Sequence, residues 1–196
     1  MKHNIPIFII CTILLVWVGP ALGCLSNTIN IGILNTDKSR LLAELISQTI
    51  NERTGTNVKL LIYDSIEEFN GALTITNREY RIDLLIENPE KFKQTADSKK
   101  ITIFHTMKDA ESFGKNDPVS FIQKPLVIDS NDAGSPKSTI FYRSDLLKDY
   151  PLLPRLLTKL SRTLGFKSYE RLLQFVEDGE KPRNVARDFL KIKKLI

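Results

Sequence analysis

Apolar positions along this chain fall into short unbroken runs separated by stretches of helical period. Ile29 to Leu34 has strand length and β-branched residues, which predicts a buried strand. Asn35-Thr36-Asp37 follows as a polar turn with good N-cap residues. Leu41, Leu42, Leu45, Ile46, Thr49 and Ile50 then recur at helical spacing, and Gly55 is placed to end that helix as a C-cap. Val58 to Tyr63 reads as a second strand. Asp64-Ser65 caps a second helix bearing Ile66, Phe69, Ala72 and Leu73, and Ile82 to Ile86 is a third strand. The order β-α-β-α-β with short connections predicts a parallel sheet with helices on its faces.

The middle of the chain has weaker periodicity. Pro89 to Ala96 suits a helical turn, Ile101 to His105 a strand, and Lys108 to Asn116 is mostly polar. Pro125 to Ile128 and Ser138 to Arg143 read as further strands, with the turn-rich loop Asp129 to Pro136 between them. The last third is helical. One helix opens at Tyr150-Pro151 and carries Leu153, Leu156, Leu157, Leu160 and Leu164; a second spans Tyr169 to Val176; a third starts at Pro182 with Val185, Ala186, Phe189 and Leu190 on one face. Packing against the sheet is the plain reading of these stripes, with a partner-binding face as the other.

The start of the chain follows a different pattern. After Lys2 and His3, Ile5 to Val18 is almost wholly apolar, shorter than the roughly 20 residues a spanning helix needs. Gly19-Pro20 breaks it, and small residues at Ala21 and Gly23 precede Cys24. This predicts a signal peptide over residues 1–23. An ordinary signal peptidase and a lipoprotein signal peptidase would both cut before Cys24, since Ala21-Leu22-Gly23-Cys24 resembles a bacterial lipobox. Cys11 leaves with the signal, so Cys24 is the only cysteine of the mature chain and has no internal disulfide partner. Acylation of Cys24 explains a thiol at that place, with residues 24–28 as a tether to the bilayer. A plain secreted protein and a retained anchor helix are the alternatives.

Composition adds bounds. The chain beyond the predicted signal suffices for one core, and residues 29–196 are expected to form a single domain. An apolar fraction of 42% and a charged fraction of 26% are those of a globular protein. The net charge of +5 is modest, with the tail Lys191, Lys193 and Lys194 as the visible excess. A solvated basic helix end accounts for that tail, with nucleic-acid or anionic-lipid binding as the disfavoured alternative, and no nucleic-acid partner is expected.

Candidate chemistry is sparse. No glycine loop that could cradle phosphate follows the first strand, where Gly32 lies inside the strand. His105 and Cys24 are too few for a His/Cys metal site, and no G-x-S-x-G elbow accompanies His105. Glu67, Glu68, Asp83 and Glu87 read as solvated surface carboxylates. No cofactor and no enzymatic activity are expected; a hydrolase built on His105 is the contrasting class.

Two stretches resemble the substrate-binding proteins of ABC importers for glycine betaine, choline and related osmoprotectants. One is Ile31-Gly32-Ile33-Leu34-Asn35-Thr36-Asp37 running into Leu41-Leu42-Ala43-Glu44-Leu45, then Thr54-Gly55, Val58, Ala72-Leu73 and Ile82-Asp83-Leu84. The other is Phe141-Tyr142-Arg143, Asp145-Leu146-Leu147, Tyr150-Pro151 and Leu153, continuing through Leu157, Leu160-Ser161, Pro182, Val185-Ala186 and Phe189-Leu190. The resemblance implies an α/β fold: one lobe of a type II periplasmic-binding-protein-like fold, with a mostly parallel sheet, helices on both faces and a helical C-terminal third. Both stretches belong to the same lobe of that family. Residues 89–124 stand where a second lobe would lie, so this resembles a single-lobe member with a short insert.

The ligand positions depart from the family. Its aromatic and Glu–Gln pair near the first loop is replaced by Asn35-Thr36-Asp37-Lys38. Its Gly-Gly-Thr is replaced by Asp64-Ser65, and its Glu-Tyr-Thr-Gly by Glu87-Asn88-Pro89-Glu90. Quaternary ammonium needs an aromatic cage, and the only tryptophan, Trp17, lies in the signal; Tyr63, Tyr80 and Tyr142 are the candidate rings. The expected function is a non-catalytic, extracytoplasmic lipoprotein using the rim where strand C-termini meet helix N-termini. Its rim residues are Asn35, Thr36, Asp37, Asp64, Ser65, Glu87 and Asn88. The ligand is a weakly bound small polar or quaternary-amine solute, or a protein such as an ABC-transporter permease. The alternative is a true glycine betaine or choline receptor that completes its cleft by dimerising.

Overall fold

The computed structural model describes residues 28–99, 101–104, 119–125 and 138–196. The predicted signal, Cys24, His105 and the loop Asp129 to Pro136 lie outside those residues.

The β-α-β-α-β opening is present as read. β1 (Ile29–Leu34), α1 (Asp37–Thr54), β2 (Val58–Tyr63), α2 (Ile66–Ala72) and β3 (Leu84–Glu87) follow in order. Thr36 caps α1, its Oγ1 accepting the Ser39 N–H at 3.2 Å. Ser65 caps α2 in the same way, its Oγ accepting the Glu68 N–H at 3.2 Å. Gly55 ends α1 at φ +69, a left-handed turn that glycine adopts without a Cβ penalty. Gly32 has another purpose: a Cβ there would stand 2.5–2.9 Å from three side-chain carbons of Ile82. The missing side chain lets β1 and the start of β3 close up.

The stretch 89–124, expected as an insert, contributes α3 (Pro89–Lys99), β4 (Thr102–Phe104) and most of β5 (Ser120–Pro125). β6 (Thr139–Arg143) follows. The six strands make one sheet in the order β2-β1-β3-β6-β5-β4. β1 pairs parallel with β2 and β3, and β4 pairs parallel with β5; β6 alone runs the other way, antiparallel to both β3 and β5. Residues 126–128 of the strand expected over Pro125 to Ile128 lie outside the described residues; Pro125 itself belongs to β5, which begins at Ser120. The only adjacent apolar pair of β5, Phe121-Ile122, is too short to signal a strand without the neighbours that pair with it.

The helix expected from Tyr150-Pro151 is α5 (Leu153–Thr163), and a separate short helix, α4 (Leu146–Asp149), precedes it. Pro151 forces the break between them, because the residue before a proline is driven out of the helical region, and Tyr150 sits at φ −131, ψ 67. α6 (Phe166–Glu177) and α7 (Pro182–Ile192) complete the chain.

Strand alternation divides the core in two. Ile31, Ile33, Leu84, Ile86, Ile140 and Tyr142 face α1 and α4–α7, which supply Leu45, Leu157, Leu160 and Leu190 among others. Leu85, Phe121 and Phe141 face α2 and α3, where the Phe92 ring lies 4.2 Å from Phe141, tilted by 44°, and meets Phe121 edge-on. The leucine stripes of the C-terminal helices are therefore core, and helices cover both faces of the sheet.

The sheet is joined beneath β1, β3 and β6 by a buried polar cluster. The expectation that Asp83 is a solvated surface carboxylate is overturned, for its residue is 2% exposed. Its carboxylate accepts the Asn30 N–H at 3.0 Å and pairs with Arg81 at 2.6 Å. Burial pushes the Asp83 carboxyl above its ordinary pKa, outweighing the Asn30 N–H and Arg81 that pull it down. Arg143, also buried, donates to the carbonyls of Ile82 (2.8 Å), Leu73 (3.2 Å) and Ile75 (2.8 Å). Local spacing along the chain does not display this cluster, since its members are brought together by pairing of distant strands.

Asp83→Ala is expected to lower stability by about 3–5 kcal/mol in urea unfolding, because it strands a buried Arg81 and the Asn30 N–H. Asp149→Ala, which breaks only the exposed pair with Arg78, is expected to cost less than about 1 kcal/mol. Equal losses at the two sites would show that the cluster is solvated.

Candidate functional site

The three strand-end loops named from the sequence do meet on one edge. β1 and β2 run in register, so Leu34 lies beside Tyr63 and their following residues emerge together. Asn35 N–H closes the ladder onto Tyr63 O at 2.8 Å, and Asn35 Nδ2 donates to Asp64 Oδ1 at 2.5 Å. β3 ends at the same edge, with Glu87 opposite Thr139 at the start of β6. Asn35, Thr36, Asp37 and Asp64 are exposed; Ser65, Glu87 and Asn88 are half-buried.

Much of this polarity is already used. Thr36 Oγ1 accepts the Ser39 N–H and bonds Ser39 Oγ at 3.0 Å. Ser65 Oγ caps α2. Glu87 Oε1 accepts the Asn88 N–H at 2.8 Å, and Asn88 Oδ1 accepts from Lys91 N–H at 3.3 Å. The residues that looked like ligand groups are, in four of seven cases, helix caps or turn bonds. What the edge still offers is the carboxylates of Asp37, Asp64 and Glu87, the last two already accepting one bond each, a set suited to a polar or cationic group.

The candidate rings do not gather there. Tyr63 reaches the edge but packs edge-on to Phe69, 5.8 Å between centroids, and burial raises its phenol pKa. Tyr142 is 3% exposed within the core, and Tyr80 lies in the segment leading into β3, at the opposite end of the sheet. No two of these three can face one ammonium group. Among the described residues no cluster of His, Cys, Asp and Glu could hold a metal ion, and no helix is long and apolar enough to cross a membrane.

A parallel sheet with one reversed strand, helices on both faces and polar loops at its carboxyl edge is an α/β architecture similar to that of periplasmic binding proteins. Two solved structures share this fold over 86% of the chain. One is described as a glycine betaine/carnitine/choline ABC transporter: TM-score 0.51, 13% identity, 98% of that chain covered. The other is lactococcal OpuAC in its closed-liganded conformation with glycine betaine: TM-score 0.53, 11% identity, 96% covered. At such identity the likeness establishes the fold. No family model and no curated protein matches the chain.

Thr36→Ala is expected to cost about 1 kcal/mol in thermal or chemical unfolding, the usual loss for a vacated N-cap. A loss near zero would free Thr36 Oγ1 for a ligand.

Proposed function

We propose that this protein is a non-catalytic envelope lipoprotein related to the solute-binding components of ABC importers. In this reading Cys24 is acylated and holds the lobe on the extracytoplasmic side of a membrane. The rim formed by Asn35, Thr36, Asp37, Asp64, Ser65, Glu87 and Asn88 binds a small polar or quaternary-amine solute weakly, or docks a protein partner such as a permease. The observation that carries the reading is the convergence of three strand ends on one open polar edge, in a fold shared with two betaine-type binding proteins.

The open geometry supports weak rather than tight solute binding. Receptor pockets gain affinity by burying most of the ligand surface. An open edge leaves one face of the solute in water, where a cation–π contact is worth about 0.5–1 kcal/mol. Tyr63 alone supplies one such contact, against about 4 kcal/mol for even a millimolar constant. Calorimetry on the monomer is expected to give a dissociation constant for glycine betaine or choline no tighter than about 1 mM. Micromolar binding by the monomer would overturn this reading.

Anchoring is tested separately. A Cys24→Ala chain is expected to leave the membrane fraction, and the parent's intact mass to exceed that of the chain from Cys24 to Ile196 by acyl groups. A Cys24→Ala chain that stays membrane-bound with its N-terminal apolar segment still attached would identify a retained anchor helix instead.

A further inference from the structure

Positive charge is concentrated in one layer of this protein. From Leu153 onward the chain carries eleven Lys and Arg against five Asp and Glu, a net of +6. Everything before Leu153 comes to −1, in a chain whose total is +5. Within that layer, α6 and α7 flank an open groove of about 490 Å³. Phe175 and Ile192 line it and remain 43% and 77% exposed. Lys167, Arg171 and Lys193 line the same groove, with Asp188 and Glu180 as its acidic members.

The end of α7 is held in a defined place. Leu195 N–H bonds Leu190 O at 2.8 Å and Lys194 N–H bonds Lys191 O at 3.0 Å, the paired bonds of a Schellman turn. Such a turn needs a left-handed residue, a position glycine fills without steric cost. Here it is Lys194, at φ +53, the only non-glycine residue with positive φ among those described. A lysine thus stands where the backbone favours glycine. Leu195 is buried beside it, and Arg53 at the end of α1 grips the carbonyls of Leu195 (2.6 Å) and Lys194 (3.0 Å).

That grip locates the lysines relative to the start of the lobe. Arg53 and Gly55 lie at the entry to β2, and Ile29 N–H bonds Asn57 O at 3.0 Å at the same end. The chain therefore enters the lobe at Thr28 on the side where Lys193 and Lys194 sit, opposite the polar rim. Four peptide units join Cys24 to Thr28, a reach of at most about 14 Å.

We propose that this base of the lobe rests on an anionic lipid surface. Lys191, Lys193 and Lys194 meet the headgroups, Ile192 dips between them, and Lys167 and Arg171 extend the contact along the groove. Each lysine near such a surface multiplies partitioning by about fivefold, and a basic patch is the second signal that makes a lipid anchor firm. The proposal uses the reading of Cys24 as an anchor only for proximity; the charge and its placement stand without it. It also turns the rim away from the bilayer.

The test is sedimentation of the full Cys24→Ala chain with vesicles of phosphatidylcholine alone or with one quarter phosphatidylglycerol. The comparison cancels whatever the apolar segment Ile5 to Val18 contributes to both. Binding is expected to be stronger to the anionic vesicles and to fall at about 0.5 M salt, where screening shortens to a few ångström. K191E/K193E/K194E is expected to lose the anionic preference by at least tenfold with its melting temperature preserved. K194G is expected to melt higher and yet bind severalfold less, which a purely structural lysine would not do; it decides the matter if the triple variant fails to fold. Equal binding to both vesicle types, or no change in either variant, overturns the proposal and returns the groove to a protein partner. Solute calorimetry is unaffected by this outcome, so the rim and the base fail independently.

Discussion

The architecture depends on how β3 is held between a parallel and an antiparallel neighbour. β1 approaches it from one side and β6, running the opposite way, from the other. The ladder alone does not decide that arrangement at the strand starts, where few residues pair. Asp83 and Arg143 do. Asp83 N–H bonds Asn30 O and its carboxylate takes the Asn30 N–H, locking β1; its carbonyl takes the Arg143 N–H, locking β6. The Arg143 guanidinium then ties down the carbonyls of the segment between α2 and β3, while lying 5.5 Å over the Phe121 ring. Buried charges of this kind add little net stability, since desolvation consumes most of the attraction. What they add is uniqueness: any other register would leave Asp83, Arg143 or the Asn30 amide buried without a partner.

With strand starts locked at one end, the strand ends open at the other. This gives the lobe a polarity. The rim carries Asp37, Asp64 and Glu87, while the base carries the chain entry, the Arg53 clasp and the lysines of α7. The rim looks like a receptor edge, but its hydroxyls and amides are consumed by capping: short loops between a strand and a helix have few polar groups, and the helix N–H groups claim them first.

The two cores are separated by the sheet and differ in character. One is aliphatic, built from α1 and the C-terminal helices; the other is smaller and aromatic, centred on Phe92, Phe121 and Phe141. The aromatic side is where α3, β4 and β5 join. Rather than standing apart, these described parts of the 89–124 stretch widen the same sheet by pairing beyond β6.

Hydrophobic period and turn chemistry were enough to read β1 through β3, the α1 caps at Thr36 and Gly55, and the helical last third. Each of those rests on neighbours within one or two turns, which a linear sequence displays. The convergence of Asn35, Asp64 and Glu87 on one edge was legible too, because parallel βαβ units bring strand ends to a common side. Three features were not legible. β5 is defined by its partners rather than by its own weak pattern. Asp83 looks like any carboxylate at a strand end until the distant Asn30 supplies the donor. The rings of Tyr63, Tyr80 and Tyr142 share a residue type but not a place, since strand register and sheet end decide where each points. Local spacing is written in the chain, whereas contacts between distant segments exist only once the sheet has chosen its order.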